Sequence, residues 1–293
     1  MKEALAKKLE DPSLHANMYA LAFLRKDAAA MQRELSATTG QASGEDTMLA
    51  MQADTEAFSG RLRKARELSR QAVESAKRAE LAEPAAIWEG LAALREAAFG
   101  NKVEARKGAE EVLRIAPESR DAQTLAALIL ARAGETKHAQ AILEDLSARY
   151  ISNTVIQMVW IPTIRAQNDL LRQNSRSALR YLEVVTPYER GQMIGNLSNC
   201  CLIPIYLRGE AYLAAGQGPQ AVNEFQKILD DKGVVVNCWA GSLALLGKGR
   251  GQALAGYKAA ARTTYTQFLT QWKDADAEVP IYKAARSEYA QLK

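Results

Sequence analysis

The chain has 293 residues, 48% of them hydrophobic and 25% charged, so it can bury a large core without disulfides or metal, and wholesale disorder is not expected. The net charge is only +4, with 38 basic residues interspersed among 34 acidic ones, which argues against a concentrated nucleic-acid-binding face. Alanine is abundant, only eight prolines occur and alternating Val/Ile/Thr stretches are almost absent, so the expected fold class is all-α.

The first fifteen residues, MKEALAKKLEDPSLH, lack the apolar core of a signal peptide and read like the middle of a helix. From there one arrangement recurs: a turn, then a small residue five positions later on the following helix. Turns are expected near Lys26, Gly60, Gly100, Gly134, Gln173, Gly216 and Gly256. The small residues are Ala65, Ala105, Ala139, Ala178, Ala221 and Ala261, with Met31 standing in after the first turn. Successive turns are 34, 40, 34, 39, 43 and 40 residues apart. Two of these gaps match the 34-residue tetratricopeptide repeat, and the rest require insertions in loops or helix ends.

The clearest copy is YLRGEAYLAAGQGPQAVNEFQKIL. Gly209 and Ala221 are small where two antiparallel helices touch, Tyr212 and Phe225 fill the flanking space, and Gly216 takes the left-handed conformation of a helix end. Pro117 sits where the repeat closes. After Pro280, a helix with apolar residues at Ile281, Ala284, Ala285, Tyr289 and Leu292 is expected to cap the array. The spacing thus predicts one α-solenoid domain over 1–293, a superhelix of about seven tetratricopeptide-like helical hairpins with a C-terminal cap at 280–293.

Candidate chemistry is sparse. The basic run Arg61, Arg63, Lys64 and Arg66 reads as a solvated helix face near Glu67. Glu135 and His138 form a single Glu-x-x-His, short of the two pairs plus further carboxylates of a di-metal bundle, and His138 falls on a turn. Two histidines and three cysteines give no zinc spacing, no catalytic triad and no disulfide framework, and the adjacent Cys200 and Cys201 read as small loop residues. SLALLGKGRGQALAGY, Ser242 to Tyr257, superficially suggests a phosphate loop. Counted from Gly241, however, five residues rather than four precede Gly-Lys, and Gly249 stands where a hydroxyl is needed. In register, Gly256 is a turn, Gly249 a helix contact and Gly251 a local weakness, since glycine in a helix interior costs up to ~1 kcal/mol. No stretch approaches the eighteen apolar residues of a membrane span.

Several stretches carry a more specific likeness: AFLRKDAAAMQREL, FSGRLRKARELSRQAV, EAAFGNKVEARKGA, PTIRAQ, YLRGEAYLAAGQGPQAVNEFQKILDDKGVV and FLTQWKDADAEVPIYKAARSEYAQL. Together they span nearly the whole chain, which resembles the C-terminal tetratricopeptide region of eukaryotic-like serine/threonine protein kinases from acidobacteria. The resemblance implies a bacterial parent with a kinase domain, usually followed by a transmembrane helix, ahead of this region. It leaves open whether the region lies in the cytoplasm or outside it. His15 and His138 are each followed by alanine, so neither begins a kinase catalytic loop, and neither Asp-Phe-Gly nor a glycine-rich loop over a strand is present.

The expected function is therefore non-catalytic, without cofactor or metal: capture of a protein or peptide partner on the concave face, with no nucleic acid and no direct membrane contact. Counting from the small helix-contact residues, the inward positions are Trp160, Thr163, Gln167, Tyr206, Glu210, Leu246 and Arg250. Aromatic and arginine residues among them suit a binding hot spot. A self-associating spacer, hence a homo-oligomer, and a small-ligand sensor domain of a transcriptional regulator or kinase are the alternatives, since the resemblance extends to relatives with a winged-helix regulator ahead of the repeats.

Overall fold

A computed structural model describes residues 12–40, 44–191 and 202–292. Among them are sixteen α-helices and no strand. In chain order they are α1 (Pro12–Leu24), α2 (Ala28–Thr38), α3 (Glu45–Phe58), α4 (Leu62–Arg78), α5 (Ala82–Phe99), α6 (Lys102–Ile115), α7 (Arg120–Ala133) and α8 (Thr136–Arg149), followed by α9 (Ile161–Leu171), α10 (Ser175–Val185), α11 (Ile203–Ala214), α12 (Gly218–Asp230), α13 (Lys232–Val235), α14 (Trp239–Leu254), α15 (Lys258–Gln271) and α16 (Pro280–Gln291). A π-helical turn, Ile156–Trp160, leads into α9. Pro162 explains it: lacking an N–H, it cannot bond back one α-turn, and the helix widens.

Local signals set the helix ends. Each of the seven residues expected at a turn has a positive φ, from 57° at Lys26 and 59° at Gln173 to 107° at Gly134. Asp27, Ser119 and Asn174 cap α2, α7 and α10 by accepting backbone N–H groups of the first turn. α4 shows the periodicity that buries one face, with Leu62, Ala65, Leu68, Ala72, Val73 and Ala76 turned inward. All six alanines at the fixed offset are fully buried, because the preceding helix lies across each of them.

Consecutive helices pack neighbour to neighbour, α1 on α2, α3 on α4 and so on, as a helical-repeat solenoid does. A second layer of contacts joins α5, α7, α9, α11 and α14. α14 then meets α3, so the array curves until its late helices touch its early ones.

That seam is specific. Trp272, fully buried, donates its indole N–H to Ser242 Oγ (2.6 Å) and the Phe58 carbonyl (3.1 Å), and its ring meets Phe99 edge-on at 5.2 Å. Asp276 accepts from the Arg63 backbone N–H (2.7 Å) and guanidinium Nε (2.8 Å), while its own N–H donates to Gly60 O (3.0 Å). Asn237 donates to Met51 O (2.8 Å) and Thr55 Oγ1 (3.0 Å). Pro280 sits against the Gly100 turn, where an added Cβ would come within 3.0 Å of it.

Two expectations change. Gly251 is no weakness, because a Cβ there would lie 2.9 Å from Val222 Cγ2 and 3.0 Å from the Gly218 carbonyl. Gly218 returns the close approach, its own Cβ position being 2.6 Å from Gly251 O, so these two glycines let the backbones of α12 and α14 meet. The adjacent Gln252 accepts from the Thr264 hydroxyl (2.7 Å). Cys238, just before α14, is disulfide-bonded, against the expectation drawn from an odd cysteine count. Cys200 and Cys201 lie outside the described residues.

Candidate interaction site

The inward positions follow from the helix geometry: on α9, α11 and α14 the residues one after and three before the helix-contact position point away from the second helix. The structure places most of them in the core. Trp160, Thr163, Gln167, Tyr206 and Leu246 are all buried, Thr163 with no exposure at all. The side chains of Glu210 and Arg250 retain 30% and 29% exposure. The curvature that brings α14 to α3 has turned an expected open groove into a largely packed interior.

Gln167, Tyr206 and Glu210 are brought together by a residue the sequence reading missed, Arg132 near the end of α7. Its guanidinium donates to Gln167 Oε1 (2.9 Å) and to both oxygens of Glu210 (2.9 and 2.8 Å). It also lies over the rings of Tyr206 (5.5 Å) and Trp239 (5.7 Å). Burial opposes its charge, yet the Glu210 carboxylate outweighs that and holds the Arg132 proton more firmly than usual. Burial, then Glu210, pushes the Tyr206 phenol upward. Nothing marks Arg132 in the sequence, because its role depends on helices one, two and three pairs further along.

Arg250 takes part in a second cluster. Its Nη2 and Nε donate to the two carboxylate oxygens of Glu288 on α16 (2.8 and 2.9 Å), and Tyr265 OH donates to the same carboxylate (2.7 Å). Burial disfavours the Glu288 anion, but Arg250 and Tyr265 more than compensate and hold the carboxyl below its ordinary value. Leu246 lies one turn before Arg250 within the core, while Trp160 and Thr163 pack where the π-turn enters α9, Thr163 returning its hydroxyl to Val159 O (2.5 Å).

The basic run is not a free cationic face. Arg61 pairs with Glu56, Arg63 with Asp276, Lys64 with Glu67 and Arg66 with Glu96. His138 is exposed, and His15 lies buried against Glu34, 2.8 Å from its carboxylate. Among the described residues no group of three or more His, Cys, Asp or Glu side chains is placed to hold a metal ion, and no helix is long and apolar enough to cross a membrane. A half-open cleft of about 500 Å³ lies elsewhere, between α2, α3 and α4, with Leu35, Met48 and Leu49 beside Glu45, Arg70 and Arg78. None of the expected inward residues lines it. No protein-family model matches the chain, and no curated protein does either.

Proposed function

We propose that this chain is a tetratricopeptide-like array of about seven hairpins that serves as a non-catalytic protein-interaction module, attached to a bacterial serine/threonine kinase. The observation that carries the reading is the register. Left-handed turns recur with fully buried alanines five residues on, the packing that such hairpins require. The kinase parent is supported by the resemblance of the quoted stretches alone. Partner binding is assigned to the inward rim, where Glu210 and Arg250 keep part of their charged surface in water while their neighbours are packed away.

The test is an affinity capture comparing wild type with Arg250→Ala and Glu210→Ala, each verified for unchanged helical content. Tyr206→Ala is unsuitable, because truncating a buried aromatic costs about 3–5 kcal/mol and reports on folding instead. Reproducible loss of one partner in the rim variants supports the reading. An identical set of captured proteins refutes it.

A further inference from the structure

The geometry points to an autoinhibited site: Arg250 and Tyr265 form a receptor for a side-chain carboxylate on a partner's helix, and the last two turns of α16 occupy it in the resting protein. The inference deepens the proposed function by naming the partner's chemistry, and it rests on that reading.

The receptor is built without α16. Arg250 stands on α14 and Tyr265 on α15, and the Tyr265 ring is buried against Gly249, where an added Cβ would lie 3.0 Å from it. Together they present two guanidinium N–H groups and a hydroxyl to one carboxylate, and Glu288 takes all three. Such a bidentate arginine fork selects planar anions over other polar groups. One helical turn away, Arg262 lies over the Tyr289 ring (5.4 Å) and donates to Leu292 O (3.1 Å). The site therefore reads an acidic residue followed by an aromatic, as in the Glu288-Tyr289 pair of α16 itself.

The present occupant is held largely through partly exposed contacts. Ala285 is the one fully buried residue described in α16, the Glu288 side chain keeps 33% exposure, and Tyr289 and Leu292 pack on the core while only partly buried. Lys283, Arg286, Ser287, Ala290 and Gln291 face water. The start of the helix is anchored better, through buried Val279 and through Pro280 against Gly100, so it can act as a pivot while the later turns lift. A partner segment carrying the same acid–aromatic pair competes for the same three donors.

The experiment uses the full chain and a fluorescein-labelled peptide, VPIYKAARSEYAQLK, read by anisotropy. Glu288→Gln keeps the side-chain shape and removes the charge. The expected result is at least tenfold tighter peptide binding by Glu288→Gln than by wild type. That gain should vanish when the peptide's glutamate is replaced by glutamine or when Arg250→Ala is added. In parallel, amide exchange across α16 should quicken at least fivefold in Glu288→Gln, with α14 and α15 unchanged.

Equal peptide affinity, or undiminished α16 protection, overturns the inference. So does a dimer of Glu288→Gln by light scattering without peptide binding, which makes a second copy the occupant, and so does loss of folding, which makes α16 structural. If the peptide results hold but no captured partner depends on Arg250, the interaction-module reading fails and the carboxylate site stands. If partners depend on Arg250 but the peptide does not bind, the reading stands and this inference falls.

Discussion

Asp276→Ala tests whether the two ends of the array support each other. α4 begins at Leu62, and Arg61 ahead of it offers no side-chain cap. The cap arrives instead from Asp276, whose carboxylate accepts the Arg63 N–H at 2.7 Å. Losing a side-chain cap costs about 1 kcal/mol, and losing a negative charge at a helix N-terminus about 0.3–1 kcal/mol more. The Arg63 side chain is 75% exposed, so its ion pair adds nothing to that sum. A total of about 1–2 kcal/mol corresponds to roughly 5- to 30-fold faster opening. Hydrogen exchange at the amides of Arg63, Lys64 and Ala65 is the assay, with helix α8 as the internal reference. Asp276→Asn, which keeps an acceptor but not the charge, is expected to fall between wild type and alanine. Unchanged exchange at the start of α4 in Asp276→Ala would refute the argument that the seam caps this helix.

Other expectations follow from the same geometry. Burial opposes ionisation of Asp276, but the Arg63 backbone and side chain hold its carboxyl below the ordinary aspartate value. Its contribution is therefore complete above about pH 4 and is lost as pH falls through the lowered native value, which urea melts between pH 6 and pH 2.5 will show as a step absent from Asp276→Ala. Gly251→Ala, stabilising by helix propensity alone, is expected to destabilise by about 1–3 kcal/mol, because the added methyl meets the α12 backbone. A stabilising result in thermal melts contradicts that packing argument. The carboxyl of Glu89 is pushed up by burial, with Glu111 adding to it, so its ionised form costs stability at neutral pH. Glu89→Gln is expected to stabilise by a few tenths to about 1 kcal/mol, measured by urea denaturation at pH 7 and vanishing once the pH falls low enough to protonate Glu89. Alkylation followed by mass spectrometry should find Cys238 blocked until a reductant is added.

Local features were legible in the order of residues alone. A residue in the left-handed region stands at each of the seven expected turns, and a buried alanine follows six of them at a fixed offset, so both recur in the sequence as they recur in space. The turn at Glu80 (φ 58°) was not foreseen, because a left-handed glutamate leaves no compositional trace. Whatever depends on the angle between successive helix pairs emerged only in the folded chain. Each pair adds a rotation that no single repeat encodes, and only their accumulated curvature brings Asp276 to Arg63 and α14 to α3. That curvature buried Thr163, Tyr206 and Leu246, joined Arg132 to Glu210, and set Gly251 against a neighbouring backbone. Inward direction could be counted from the helical period, whereas the space left inside the curve could not.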